Sequence, residues 1–198
     1  MRRTLFCVQM ICVLFMIAGC GTGKTDGEYA AIQQRWETLK NCSMTAEVEC
    51  LGDEAQKYTL SCQWENGGES TVTVEEPDEL AGITASFDGE DMSLIFDGAA
   101  LAAGKIGSGE LSPASCLPMI MDAVRDGYML EKSREEYGGA DASRVTFDTT
   151  GEDGQKIDYT VWFGDGDTPL AAEISEDGNM IFKGEFTNFE FGDTIQNT

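Results

Sequence analysis

The chain contains no histidine among its 198 residues. That excludes Ser-His-Asp and Cys-His catalysis, histidine-ligated zinc, and the usual general base near neutral pH. Basic residues are scarce, with 13 Lys and Arg against 36 Asp and Glu, a net charge of −23. Without a basic patch there is nothing to displace counterions from phosphate, so a nucleic-acid binder is excluded. No Cys-x-x-Cys occurs among the seven cysteines, which argues against thioredoxin-like redox chemistry and cysteine-only zinc. The apolar run from Leu5 to Ala18 has fourteen residues. It falls short of the roughly 20 residues that span a bilayer comfortably. What is present suffices for a core: 41% hydrophobic residues, with three Trp, five Tyr and ten Phe. The size suits one domain.

The first residues read as an address. Met1-Arg2-Arg3 is a short positive region, and Leu5 to Ala18 follows without a charge. That order is a signal peptide. It ends in Ile17-Ala18-Gly19-Cys20, which resembles the lipobox of bacterial lipoproteins. The resemblance implies cleavage before Cys20, diacylglycerol on its thiol, and often acylation of the new amine. More than one acyl chain makes a stable anchor where a single chain is marginal. The expected organisation is a signal peptide over 1–19, a lipidated flexible tether over 20–26, and one domain over 27–198. Without Arg2 and Arg3 the remainder has 11 basic and 36 acidic groups, a charge of −25. Gly19 to Thr25 imitates a phosphate-binding loop, but Ala18 stands where its first glycine belongs.

From Gly27 the pattern is helix, then strands. Asp26 is placed to cap a helix over 27–40, whose apolar stripe is Tyr29, Ile32, Trp36 and Leu39. The period then drops to two. Met44, Ala46, Val48 and Cys50 alternate with polar residues, as do Tyr58, Leu60, Cys62 and Trp64. Asn66-Gly67-Gly68, Asp88-Gly89 and Asp97-Gly98 are hairpin signals. Ser112-Pro113 reads as N-cap and first turn of a second helix over 112–128, with Pro118 kinking its start or making two short turns of it. Strands resume over 129–137, 143–149, 157–163, 170–176 and 180–191.

About ten strands joined by tight turns make an antiparallel sheet that bends on itself. Its apolar face needs cover, and only the two helical segments supply it. The expectation is a mainly antiparallel β fold, a curved incomplete barrel plugged by helices. Leu117, Ile120, Met121 and Val124 are the candidate plug or hydrophobic pocket. They are expected to pack against Leu60, Trp64, Phe96, Phe147 and Trp162. Met119, Met121 and Met129 suit either an adaptable greasy pocket or an ordinary core.

This order resembles the lipoprotein-carrier fold of the LolA, LolB and LppX type, over residues 27–191. Three stretches carry the likeness: Val74-Glu75-Glu76-Pro77 through Ile83, Leu111-Ser112-Pro113, and Trp162 to Pro169-Leu170-Ala171-Ala172-Glu173-Ile174. The group includes the spore-germination lipoprotein GerS, which would imply an amidase partner. LolA-type carriers instead hold acyl chains under the concave sheet. A tether at Cys20 departs from soluble LolA and disfavours long-range ferrying.

Cys42, Cys50 and Cys62 share parity with the apolar strand residues and are expected to face the core. Cys42 and Cys62 are either bridged across their hairpin or free, with Cys116 as a further thiol. The acidic turns at Asp88, Glu152 and Asp165 lack the spaced ligands of a calcium loop, so no metal and no cofactor is expected. The reading is a non-enzymatic, lipid-anchored protein of the cell membrane's outer face that binds an envelope protein partner or an acyl ligand. The alternative is a cell-envelope hydrolase, or an amidase accessory with its own activity.

Overall fold

The computed structural model describes residues 25–51, 55–89, 91–105, 112–150 and 156–195. The chain divides into two units between Ile32 and Gln33. Helix α1 spans Thr25–Thr38 and crosses that boundary. Its predicted apolar stripe holds, since Tyr29, Ile32, Trp36 and the following Leu39 are all buried.

The second unit is built on one antiparallel sheet. Its strands are β1 (Asn41–Leu51), β2 (Ala55–Glu65), β3 (Glu69–Glu76), β4 (Thr84–Asp88), β5 (Asp91–Phe96), β6 (Ala99–Lys105), β7 (Tyr128–Tyr137), β8 (Ala140–Thr150), β9 (Lys156–Phe163), β10 (Pro169–Glu176) and β11 (Asn179–Phe191). Helix α2 (Pro113–Asp126) interrupts the series. The eleven strands run in the order β6-β5-β4-β3-β2-β1-β11-β10-β9-β8-β7. All neighbours are sequential hairpins except β1 and β11, which close the two halves together.

The sheet is open and curved, and α2 shows why. The helix packs on β2 and β3, and also on β8, β9 and β10. In a flat sheet, six strand spacings of about 4.8 Å would put β3 and β8 nearly 30 Å apart. The 14-residue helix, about 21 Å long and 10 Å across, falls short of that span, so the sheet curls around it. The concave face therefore carries α2, and alternation sends every second side chain to the convex face.

Four expectations need correction. Pro118 lies inside one uninterrupted 14-residue helix and does not split it. Phe96 is 58% exposed, because β5 and β6 form the sheet's far wing, beyond the strands that α2 reaches. Trp162 is buried, but on the convex face. Phe163 meets Trp36 at 6.3 Å between ring centroids, so its neighbour Trp162 must point the other way. Helix α1 also begins and ends two residues earlier than predicted.

The cysteines Cys42, Cys50, Cys62 and Cys116 are free thiols. The register pairs Cys42 with Trp64 and Met44 with Cys62. Cys42 and Cys62 are thus diagonal neighbours, roughly 7–8 Å apart and beyond easy bridging. Cys42, Cys62 and Cys116 are buried and Cys50 is half-buried.

Candidate functional site

Helix α2 is positioned from its first turn. The Ser112 hydroxyl accepts from the Ser115 amide at 3.2 Å, and the Ser115 hydroxyl accepts from the Ser112 amide at 3.1 Å. This reciprocal cap satisfies two otherwise orphaned donors, and Pro113 supplies a preset φ where no amide is needed. The other end is set by Gly127. A Cβ there would lie 2.3 Å from the Ala123 carbonyl oxygen and 3.0 Å from the Phe147 Cβ. Only glycine lets the chain leave α2 that close to β8.

The helix is also tied at its rim. The Trp64 indole donates to Asp122 Oδ1 at 3.1 Å, and Arg125 Nη1 donates to Asn66 Oδ1 at 2.8 Å. The Arg125 guanidinium lies 5.5 Å from the Trp64 ring centroid. These contacts join α2 to the β2–β3 hairpin. Burial raises the Asp122 carboxyl above its ordinary range, with the Trp64 and Arg125 contacts opposing that rise.

Leu117, Ile120, Met121 and Val124 each have 0% exposure. A water-sized sphere touches none of them, so none lines an open chamber. Leu60, Trp64, Val145, Phe147, Tyr159 and Val161 are buried alongside. The thiols share this apolar setting. Burial pushes Cys42 up to about 12 and raises Cys62 and Cys116 well above the usual thiol range. Protonated thiols at that depth act as small hydrophobes and not as nucleophiles.

A second aromatic cluster sits under the last turn of α1. Trp36 contacts Phe189 and Phe191, each at 5.7 Å and edge-on. Arg35 lies 3.8 Å over Phe191 and donates from Nη1 to the Gly166 carbonyl at 2.8 Å. That bond anchors the Asp165–Asp167 turn, which the sequence offered as an acidic loop. Among the described residues no cluster of acidic residues and cysteines has the arrangement of a metal site.

The convex face is different. A pocket of about 300 Å³ opens over the central strands β1, β11 and β10. Trp162 and Tyr137 form its aromatic end, with ring centroids 5.3 Å apart and tilted by 36°. The Trp162 indole donates to Glu135, and Arg144 lies 5.6 Å from its ring. The Tyr137 hydroxyl donates to Glu185 Oε1 at 3.2 Å. Desolvation, reinforced by Glu185, raises that phenol to about 12. Lys183 Nζ pairs with Glu49 Oε2 at 2.9 Å. Partial burial raises the Glu173 carboxyl. Sequence reasoning missed this pocket because it assigned Trp162 to the core. The parity of Tyr159, Val161 and Phe163 was the signal that places Trp162 opposite them.

Cys20 lies outside the described residues, as do Gly19 to Lys24 and the Glu152-Asp153-Gly154 turn.

No protein-family model matches the sequence. No curated protein matches it either. Solved structures do. A LolA-superfamily protein from Nitrosomonas europaea is 12% identical, with 83% of this chain and 94% of that chain covered at a TM-score of 0.43. LprF from Mycobacterium bovis is 15% identical, covering 86% and 97%, with a TM-score of 0.44. The MucA/MucB complex of Pseudomonas aeruginosa gives 13% identity, 84% of this chain and 56% of that chain, with a TM-score of 0.41. The chain is similar in fold to LolA-like proteins. Likeness at this level concerns the path of the chain, and no activity is carried across from it.

Proposed function

We propose that this chain is a membrane-anchored, extracytoplasmic lipoprotein whose domain, residues 27–198, binds a protein partner and is not an enzyme. Residues 1–19 act as the signal peptide and Cys20 carries the lipid. Residues 20–26 form the tether. Among the described residues no helix is long and apolar enough to cross a membrane.

One observation favours a partner over an acyl cargo. Leu117, Ile120, Met121 and Val124 are fully enclosed. A carrier needs an open or openable space of several hundred Å³ at such a place, whereas this helix fills it as a plug. A domain tethered by lipid also has little use for long-range lipid transport.

The test is lipid analysis of the full chain purified from membranes in detergent. Only covalently linked acyl groups are expected, labelled by palmitate in the native chain and lost in Cys20→Ala. A non-covalent acyl ligand at one per chain sinks the partner reading. Equal label and equal membrane partition in Cys20→Ala sinks the anchor. The hydrolase alternative is tested by turnover of cell-wall substrates, where none is expected.

A further inference from the structure

The convex pocket has a chemistry of its own. Four carboxylates (Glu47, Glu49, Glu173 and Glu185) and two lysines line it, beside the Tyr137 and Trp162 rings. The cross-strand register decides which charges are already matched. Glu49 stands opposite Lys57 on one side and Lys183 on the other. Glu173 also stands opposite Lys183. Glu47 stands opposite Thr59 and Glu185, and Glu185 opposite Glu47 and Ala171.

Glu47 and Glu185 are therefore like charges directly across a strand pair, with no basic residue in register with either, although Lys183, paired with Glu49, also feels the Glu185 charge. Such pairs bring Cβ atoms within about 5.5 Å and are destabilising. The fold gains nothing from it, and a cation between the two would relieve it. The Tyr137 hydroxyl donates to Oε1 of the exposed Glu185 carboxylate at 3.2 Å, so the ring and the acid are already neighbours. An aromatic ring beside two carboxylates suits a planar guanidinium, which can bond both acids while its face lies on the ring. A pocket of about 300 Å³ admits a side chain of that size. Its lining carries two more acids than bases, on a domain that is itself strongly acidic.

We propose that this pocket binds one arginine side chain, presented by a basic segment of a partner protein and bridged between Glu47 and Glu185 against Tyr137. The proposal rests on the partner-binding reading but not on the lipid anchor. A chain found loaded with acyl lipid would sink that reading, whereas the outcomes below bear on the pocket.

The probe is the capped peptide Gly-Ser-Arg-Ser-Gly, titrated against the full chain in detergent micelles. The readout is the NMR shift of the Gly184 and Ala171 amides, which report the pocket floor. A saturable shift is expected with arginine. The citrulline peptide, of the same shape without charge, should bind at least tenfold more weakly. Glu47→Gln with Glu185→Gln should weaken arginine binding at least tenfold, and the thermal midpoint should hold or rise because the opposed charges are gone. The control Asp78→Asn with Glu79→Gln removes two acids from an exposed turn elsewhere and should change affinity less than twofold. The proposal fails if Gly184 ignores the arginine peptide, or if citrulline binds equally well. Equal weakening by the control pair shows diffuse surface attraction and also overturns it. So does a neutral N-acetylglucosamine oligomer that shifts the same amides at lower concentration. The citrulline comparison uses the native chain, so it decides the matter even if the double variant folds poorly.

Discussion

The two faces of one sheet obey different rules in this protein. On the concave side, Met44, Leu60, Cys62, Val161 and Tyr159 are sealed from water. On the convex side, Lys183, Glu49, Glu173 and Glu185 surround an open pocket. The backbone is shared and side chains alternate along it between the bulges, so side-chain chemistry separates the two faces. The concave face spends its apolar surface on stability. The convex face leaves charges unbalanced, and an imbalance that does nothing for folding marks the surface available for recognition.

The sharpest test of that contrast is Ile120→Ala. A fully buried isoleucine truncated in a sealed core should cost about 2–5 kcal/mol, measured by urea unfolding. A loss under about 1 kcal/mol would mean that the concave side is loosely packed and that the two faces are less different than described. Met121→Trp probes the same space from the other direction. Overfilling should cost roughly 1–3 kcal/mol. A cost near zero, with loss of a co-purified acyl chain, would instead reveal an openable pocket.

Alkaline titration separates the faces by their ionisable groups. An unfolded thiol ionises near 9.0, whereas Cys42 in the fold holds its proton to about 12. Between those values the unfolded state binds fewer protons than the native state, so stability falls as pH rises. Below pH 9 the thiols contribute no slope. The thermal midpoint should therefore drop between pH 9 and pH 11, and by less in Cys42→Ala than in the native chain. In alkylation at pH 8, half-buried Cys50 should react before Cys42, Cys62 and Cys116. An earlier reaction of Cys116 would contradict its burial.

The smallest effect belongs to the convex side. Tyr137→Phe removes one partly exposed hydrogen bond to Glu185 and should cost about 1 kcal/mol or less. A loss as large as that of Ile120→Ala would make the convex aromatic pair a second structural core.

Much of the fold was legible because period and parity are local. The stripe Tyr29, Ile32, Trp36 and Leu39 announced α1, and Ser112-Pro113 announced the start of α2. The alternation of Met44, Ala46 and Val48 assigned the concave side of β1. Phe96 and Trp162 defeated the same reasoning for separate reasons. Phe96 sits on the correct face, but its burial depends on how far one helix reaches across eleven strands. Trp162 lies on the opposite face, because its immediate neighbours Val161 and Phe163 claim the concave side. The convex pocket was not legible at all. Its residues come from β1, β2, β7, β9, β10 and β11, and nothing in a linear sequence states that Glu47 and Glu185 share a register.

Composition, period and turn chemistry were enough to settle that the chain folds as an antiparallel sheet with two amphipathic helices. Each of those signals acts over a few residues, where backbone sterics and side-chain spacing dominate. The tertiary structure alone decided that β1 pairs with β11, that the sheet curls far enough for α2 to reach both halves, and that two glutamates stand face to face over open space. The β1–β11 pairing and the glutamate register join residues more than a hundred positions apart, and the curl depends on contacts from α2 to strands on either side of it in sequence. Their energies arise from burial and charge across the sheet, which a local pattern cannot express.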